Sequence, residues 1–356
     1  MSCENGDKNG HNGIDSKDCI IPLEVSSSPV IPSTELYSDL TEVHVDFKDF
    51  FGIGEPQKVS PQFTLKLTKL TYLPKVDDPR RDWVASVAVP AFLTHRAHNK
   101  VRNFATVGTG AGLDAIAATD IFDLECLAIT DLHQAVVDAA AENIRNATAC
   151  VGKFRLIAGA GDILAPLATE SVKYDLIYEN LPNIPLSPGH AIDAGQTSST
   201  YVPWRFEDIT STATENLLAL HFLALRQAKQ VLSPTGAVIS SIGGRVPLAA
   251  LLKMASEAGY RAEILTYTWK IQSEPEEVIG GYKKNQEDGH GPFYFYPANV
   301  LERTFGCLDP AVAGARAAEI EELLLKHRID ASVAYELHRN GLVIGHTVAI
   351  VRSTPM

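Results

Sequence analysis

The chain has 356 residues, 45% of them hydrophobic, which is enough to bury a sizeable core in one large domain or two smaller ones. Its formal net charge of −12 argues against a broad nucleic-acid-binding surface. The sequence contains no apolar run long enough for a membrane span and no apolar signal core near its N-terminus. Five scattered cysteines without paired spacing favour a reducing, cytoplasmic setting.

The first hundred residues predict a tail followed by an arm. Residues 1–18 are rich in Gly, Asn, Asp, Ser and Lys, which predicts a disordered tail. Residues 19–102 mix β-branched residues with prolines and predict an arm or cap that packs on the rest of the chain. Within this arm, residues 63–70 alternate apolar and polar side chains as a strand does, and residues 82–93 predict a helix broken or kinked near Pro90.

From residue 103 to about residue 270, predicted strands alternate with predicted helices. The strands lie at residues 103–107, 125–130, 154–158, 174–179, 236–242 and 261–268, and the helices at 112–119, 133–146, 212–232 and 247–258. A last strand at 342–351 follows an insertion that contains an aromatic run and a helix around 311–328. This order predicts an α/β fold with a Rossmann-like, seven-stranded, mostly parallel sheet covered by helices on both faces. Residues 103–270 and 341–353 would form this domain, and residues 271–340 would cap it.

A glycine-rich turn follows the first of these strands and begins a helix. Gly108, Gly110 and Gly112 let the backbone approach a ligand closely, and the N-terminus of the new helix offers free N–H groups. Asp131 ends the second strand about twenty residues later, which is the spacing of a carboxylate that accepts hydrogen bonds from ribose hydroxyls. Together these residues predict a nucleotide-type site.

Two more strand ends carry polar residues. Asp162 follows the third strand, where its side chain would accept a hydrogen bond from an adenine amino group, and Asn180 follows the fourth. Asp131 and Asp162 have an alternative role as helix N-caps. Ligands of open α/β sheets bind outside the carboxyl ends of the strands, so four such segments in register predict a ligand site.

These segments resemble the class I S-adenosylmethionine-dependent methyltransferases over about half of the chain. Residues 174–184 stand where the nitrogen-modifying branch of that superfamily has an Asn-Pro-Pro-Tyr motif; Asn180 and Pro182 match, whereas Leu181 and Asn183 depart. The missing aromatic residue argues against a nucleobase or a protein glutamine amide as substrate. The resemblance implies S-adenosylmethionine as cosubstrate, with no metal.

The resemblance also implies roles for individual residues. Asn180 would hold the reacting nitrogen, with Tyr178 and Glu179 beside it as hydrogen-bond acceptors or proton carriers. The cosubstrate would be bound by Thr106, Gly108, Thr109, Gly110, Gly112, Asp131, Leu132, Gly161, Asp162, Ile163 and Asn180.

Thr106 departs from the superfamily pattern, in which an acidic residue at this position helps to hold the α-ammonium group of S-adenosylmethionine. Unless Asp114 or Glu179 takes over, more of that amine would be neutral and nucleophilic; alternatively, Thr106 forms a hydrogen bond in place of the acid.

Methyl transfer to a nitrogen of a small molecule, as in secondary metabolism, is the leading interpretation. The chain is also similar to methyltransferase-like azetidine-2-carboxylate synthases, which implies cyclisation of S-adenosylmethionine with release of methylthioadenosine. A non-catalytic binding module is a third interpretation, which Asn180 disfavours.

Long loops are predicted to close the site from water. The loop at residues 186–211 supplies candidate substrate-pocket residues Tyr201, Trp204 and Arg205 beside Asn183, and it also contains His190. The aromatic run of the insertion, residues 291–297, is expected to be a buried strand. The expected partner is a small molecule rather than a nucleic acid or a membrane, and no pattern predicts an oligomeric state.

Overall fold

The structure is a computed structural model that describes residues 40–148, 154–186 and 199–356. The predicted tail at residues 1–18 and the candidate residue His190 lie outside the described residues. No helix in the described part of the chain has the length and apolar character needed to cross a membrane.

The arm begins with a small antiparallel hairpin of β1 (Thr41–Asp46) and β2 (Gln62–Leu67), which confirms a strand in this segment. Helix α1 (Phe47–Phe51) lies between them; the carboxylate of Asp46 caps its first turn. Further along, a π-helix at Val84–Ala88 runs directly into α2 (Val89–Arg96). Pro90 has no N–H to donate to the preceding turn, so the helical pattern is irregular just before it, as the sequence predicted.

Among the described residues the central sheet contains nine strands, and seven of them are the predicted ones. Five of them run parallel in the order β5-β4-β3-β6-β9, and they are β3 (Asn103–Val107), β4 (Cys126–Asp131), β5 (Arg155–Ala160), β6 (Tyr174–Glu179) and β9 (Leu232–Gly244). β13 (Ile344–Pro355) lies antiparallel between β9 and β10 (Tyr260–Ile271), so β10 runs in the direction of the first five. The α/β fold class with a mostly parallel sheet is confirmed.

Both faces of the sheet are buried because neighbouring residues along each strand point to opposite sides. In β3, Phe104 belongs to the hydrophobic cluster on one face, while Ala105 and Val107 belong to the cluster on the other. Four longer helices connect the parallel strands and β10: α3 (Leu113–Ile121), α4 (Gln134–Thr148), α6 (Ala219–Ala228) and α7 (Leu248–Glu257).

The single helix predicted at residues 212–232 is wrong. The segment forms α5 (Ser211–Glu215) and α6, which are separated at Leu217, where φ is 54°. The amide of Asn183 donates to the Leu217 carbonyl at 2.9 Å, so a distant residue stabilises the break. No helix-breaking residue marks this position in the sequence.

The segment between β10 and β13 contains several helices and two short strands that extend the sheet. They are α8 (Pro275–Glu287), β11 (Tyr294–Pro297), α9 (Ala298–Phe305), α10 (Pro310–Ala315), α11 (Ala317–Leu324), β12 (Ile329–Asp330) and α12 (Ala331–Arg339). β11 pairs with the start of β13, and Phe293 and Phe295 are fully buried, which confirms the expected buried strand. The helix predicted around 311–328 is divided at Arg316. Strands β7 (Ile184–Pro185) and β8 (Tyr201–Val202) form a separate parallel pair.

Candidate functional site

A cavity of about 470 Å³ lies at the carboxyl ends of the parallel strands. Residues from the glycine turn and from the ends of β4, β5, β6 and β9 line it, and Leu70, Tyr72 and Trp83 of the arm contribute a further wall. Of the predicted site residues, those that line the cavity are Gly108, Thr109, Gly110, Asp131, Leu132, Gly161, Asp162, Ile163, Tyr178, Asn180, Asn183, Tyr201 and Arg205. Thr106, Gly112, Glu179 and Trp204 do not line it.

The glycine turn is shaped by three residues with positive φ: +68° at Gly108, +51° at Gly110 and +81° at Gly112. Side chains other than glycine rarely adopt this conformation. A Cβ atom at Gly112 would lie 3.3 Å from the Ala140 carbonyl oxygen, so this glycine serves the packing of α3 on α4. A Cβ atom at Gly108 would lie 3.2 Å from Leu181 Cδ2, so Gly108 lets the segment after β6 approach the turn.

Thr106 is buried and donates a hydrogen bond to the carboxylate of Asp114 in the first turn of α3. The same carboxylate accepts a hydrogen bond from the Ala115 amide at 2.8 Å. Burial raises the pKa of Asp114 to about 6. Since Asp114 lines the cavity, a carboxylate stands directly beside the threonine that the sequence showed in place of an acid.

Asp131, at the end of β4, is held by the glycine turn. Its Oδ2 atom accepts from the Gly110 amide at 3.2 Å, and its Oδ1 atom accepts from the His133 amide at 3.3 Å. Burial raises the pKa of this carboxyl group. The two backbone contacts fix its orientation toward the cavity and leave further acceptor capacity for a ligand's hydroxyl groups.

Asp162, at the end of β5, forms a bidentate ion pair with Arg205. The Nη1–Oδ1 distance is 2.6 Å, the Nη2–Oδ2 distance is 2.9 Å, and Gln227 donates to Oδ2 at 3.1 Å. These contacts, the Arg205 hydrogen bond above all, lower the pKa of Asp162. The segment after β8 is therefore attached to the end of β5 across the cavity wall, and both carboxylate oxygens are already occupied.

The residues at the end of β6 point in different directions. Tyr178 is buried with no hydrogen-bond partner for its hydroxyl among the described residues, and burial raises its pKa well above the usual value. Glu179 turns away from the cavity, where its carboxylate lies 2.8 Å from Nδ1 of the buried His221. Asn180 is half-buried and lines the cavity. The structure thus brings Asn180 and Tyr178 to the site but not Glu179.

Sequence reasoning missed Arg245, which follows β9 and lines the cavity. It is only 5% exposed, it donates to Gln272 Oε1 at 2.6 Å, and its guanidinium lies 4.9 Å from the centre of the Tyr282 ring. The run Gly243-Gly244-Arg245 at a strand end is the signal that marks it. Within residues 40–148, 154–186 and 199–356, the structure has no group of three His, Cys, Asp or Glu side chains arranged to hold a metal ion.

No protein-family profile and no curated protein matches this sequence. Among solved structures, the chain is similar to a ribosomal protein L11 methylase from Lactobacillus delbrueckii subsp. bulgaricus, with 20% identity, a TM-score of 0.32, and coverage of 49% of this chain and 69% of that one. It is also similar to the precorrin-6y C5,15-methyltransferase of Geobacter metallireducens, with 9% identity, a TM-score of 0.33 and coverage of 74% and 87%.

The YcgJ protein of Bacillus subtilis matches with 11% identity, a TM-score of 0.39 and coverage of 75% and 98%. Two of these three structures carry methylase or methyltransferase names. At such TM-scores these similarities carry no information about substrate or reaction.

Proposed function

We propose that this protein is an S-adenosylmethionine-consuming enzyme that transfers a methyl group to a nitrogen of a small molecule. The observation that supports this most strongly is that one cavity brings together the glycine turn, Asp131 and Asn180. These three features come from three different strand ends. The arm and the β8 segment cover them, which would keep water from the reacting atoms.

The residues present fit this cosubstrate. Asp131 would accept hydrogen bonds from the ribose hydroxyls, and the backbone at Gly108 and Gly110 would lie against the ligand without obstruction from side chains. Asp114 would stabilise the ammonium group as a carboxylate. Asp162 already holds Arg205 with both oxygens, so an adenine amino group would have to share them.

When bound, S-adenosylmethionine supplies a sulfonium-activated methyl carbon, from which a nitrogen lone pair displaces the thioether. The chain's own task is to orient and desolvate that nitrogen. Asn180 would accept its N–H through the side-chain oxygen. The Tyr178 hydroxyl stays protonated at neutral pH, so it would donate or accept a hydrogen bond without acting as a base.

Cyclisation of S-adenosylmethionine to azetidine-2-carboxylate is the alternative, and the absence of an acid at Thr106 favours it. The position of Asp114 weighs against it, because a carboxylate beside Thr106 keeps an amine protonated and therefore not nucleophilic.

The test is mass spectrometry of the products formed by the protein and S-adenosylmethionine, first alone and then with a panel of small amines. We expect S-adenosylhomocysteine only when an amine is present, and we expect Asn180→Ala to remove it while S-adenosylhomocysteine still binds in calorimetry. Methylthioadenosine formed without an acceptor would show that the enzyme catalyses cyclisation rather than methyl transfer. Failure of S-adenosylhomocysteine to bind would exclude both reactions.

A further inference from the structure

The end of the cavity at β9 contains an arginine whose charge is not balanced. Arg245 is 5% exposed, and no carboxylate among the described residues forms an ion pair with it. Its Nε atom has no hydrogen-bond partner, and its neighbours are the neutral Gln272 and the ring of Tyr282. Burying a charge without a counter-charge is costly, so such an arginine is typical of a site that is completed by an anionic ligand.

The acidic residues that line the cavity are engaged elsewhere. Asp162 pairs with Arg205, and Glu274 pairs with Lys75 at 3.1 Å. Asp82 accepts hydrogen bonds from backbone amides, Asp114 accepts from Thr106, and Asp131 accepts from the glycine turn. None of these carboxylates pairs with Arg245.

The positive charge of Arg245 lowers the pKa of a neighbouring side chain. His346 is buried nearby, and its pKa is held well below the usual value by burial and then by the charge of Arg245. The guanidinium also has a prepared place, because a Cβ atom at Gly243 would lie 2.0 Å from Arg245 Nη1. A larger residue at this position would displace the flexible end of Arg245 from its place over the end of β9.

We propose that Arg245 binds a carboxylate of the acceptor, so that the substrate is a small molecule carrying both a nitrogen and a carboxylate. A planar guanidinium suits a planar carboxylate. A phosphate dianion is disfavoured because the described residues that line the cavity include only one cation without a counter-charge, Arg245, but five carboxylates that would repel a dianion (Asp82, Asp114, Asp131, Asp162 and Glu274).

The register of the sheet gives the spacing of the two groups. Ser240 lies opposite Glu179, so the guanidinium over Gly243 lies two residues beyond the level of Asn180 on the neighbouring strand. From strand dimensions this separation is roughly 8 Å. An acceptor held at Asn180 by its nitrogen and at Arg245 by its carboxylate therefore has several bonds between the two groups.

The cosubstrate's own carboxylate is a less suitable partner. Its ammonium and carboxylate are attached to one carbon, and Asp114 lies after β3, whereas Arg245 follows β9 with β6 between the two strands. Two strand spacings are roughly 10 Å, which is too far for one amino-acid end to contact both residues.

The assignment of this carboxylate to an acceptor rests on the proposed function, and the test separates the two. Ligand-observed NMR measures the binding of three acid and amide pairs to protein saturated with S-adenosylhomocysteine: 4-aminobenzoate, β-alanine and γ-aminobutyrate, each against its amide. We expect at least one acid to bind about tenfold more tightly than its amide, because a charge-assisted hydrogen bond is replaced by a neutral one. Arg245→Met should remove this preference, and Arg245→Lys should retain part of it.

Arg328→Met is the matched control. Arg328 also stacks on a tyrosine, Tyr294, at 4.4 Å, but it pairs with Glu321 and lies outside the cavity. It should leave the preference for acids unchanged. If no acid exceeds its amide in the wild-type protein, or if the preference survives undiminished in folded Arg245→Met, Arg245 is structural and the proposal is wrong.

A third measurement shows whether the carboxylate bound by Arg245 belongs to the acceptor or to the cosubstrate. If Arg245→Met weakens S-adenosylmethionine but not its decarboxylated analogue, the arginine serves the cosubstrate and the acceptor assignment is overturned. If S-adenosylhomocysteine does not bind at all, the proposed function fails, while the preference for acids is still measurable on the unloaded protein.

Discussion

The two ends of the cavity carry polar groups of opposite charge, and these groups differ in how the protein pairs them. At the glycine-turn end, the buried Asp114 and the half-buried Asp131 have oxygens that accept hydrogen bonds from neighbouring backbone and threonine groups. At the β9 end, Arg245 is a buried cation beside the neutral side chains of Gln272 and Tyr282, with no counter-charge among the described residues. The protein itself supplies hydrogen-bond partners for the acids at the first end, whereas Arg245 at the second end gains a counter-charge only from a ligand.

This contrast bears on selectivity. A site whose polar groups are already held in place binds by adding hydrogen bonds to a fixed frame, and its own stability changes little when the ligand leaves. A buried charge without a partner costs free energy in the empty protein, and a ligand of opposite charge recovers that cost. We therefore expect the turn end to determine affinity for the cosubstrate and the β9 end to determine which acceptors are chosen.

The largest expected effect is that a substitution at one end of the cavity changes the binding of one ligand and leaves the other ligand unaffected. Asp131→Ala removes the carboxylate that would accept the ribose hydroxyls, and we expect it to weaken S-adenosylhomocysteine by about 30-fold, since hydrogen bonds to charged groups contribute about 1.5–3 kcal/mol. Its effect on the preference for acids should be negligible. Arg245→Met should do the reverse, and calorimetry with ligand-observed NMR measures both.

Asp123→Ala serves as the control for Asp131→Ala. The Asp123 side chain is 96% exposed and pairs with Lys58 outside the cavity, so neither ligand should respond. A loss of both ligands in Asp131→Ala, with an unchanged melting temperature, would mean that the two ends do not act separately.

The second prediction uses the raised pKa of Asp114, which burial brings to about 6. Below pH 6 the carboxyl group is protonated and attracts a cationic amine less. From pH 7 to pH 5 we expect the affinity for S-adenosylhomocysteine to fall by about tenfold, because binding of the ammonium requires the ionised carboxylate. Calorimetry across this pH range measures the change, and Asp114→Asn should bind weakly with no such slope.

The same carboxyl group makes a prediction about stability. Its pKa in the folded protein lies above the unfolded value, so the folded state binds more protons between about pH 4 and pH 6. Its contribution to the free energy of unfolding is therefore greatest below pH 4 and is lost as pH rises through 6, by about 3 kcal/mol in total. Urea titrations of the wild type and Asp114→Asn should differ in slope over this window, and parallel curves would contradict the assignment.

The turn end was predictable from the sequence because its determinants are local. A strand, three glycines and a following Asp lie within about thirty residues, and each has a physical reason to stand at a strand end. The alternation of strands and helices also predicted the mostly parallel sheet, but not the antiparallel direction of β13. Even there, the partner of Thr106 depended on how the first turn of α3 packs, so the sequence left Asp114 and Glu179 as alternatives.

The β9 end was not predictable because its neighbours are distant in sequence. Gln272 follows β10, and Tyr282 belongs to α8 in the inserted segment, so the environment of Arg245 exists only after the chain has folded. The break at Leu217 has the same cause, since Asn183 stabilises it from another segment. In both cases tertiary contacts determine a conformation that no local residue pattern encodes.

The smallest expected effect concerns the backbone of the turn itself. Gly108 has φ +68° and Gly52 has φ +66°, but a Cβ atom at Gly52 meets nothing within 4 Å, whereas one at Gly108 would crowd Leu181 at 3.2 Å. Alanine at either site should cost about 1–2 kcal/mol of stability from the left-handed conformation alone. Only Gly108→Ala should also weaken S-adenosylhomocysteine, by about threefold, because Gly108 lines the cavity and its backbone would lie against the ligand. Thermal melts and calorimetry of the two variants test this, and equal ligand affinities in both would show that the turn supports the fold without shaping the site.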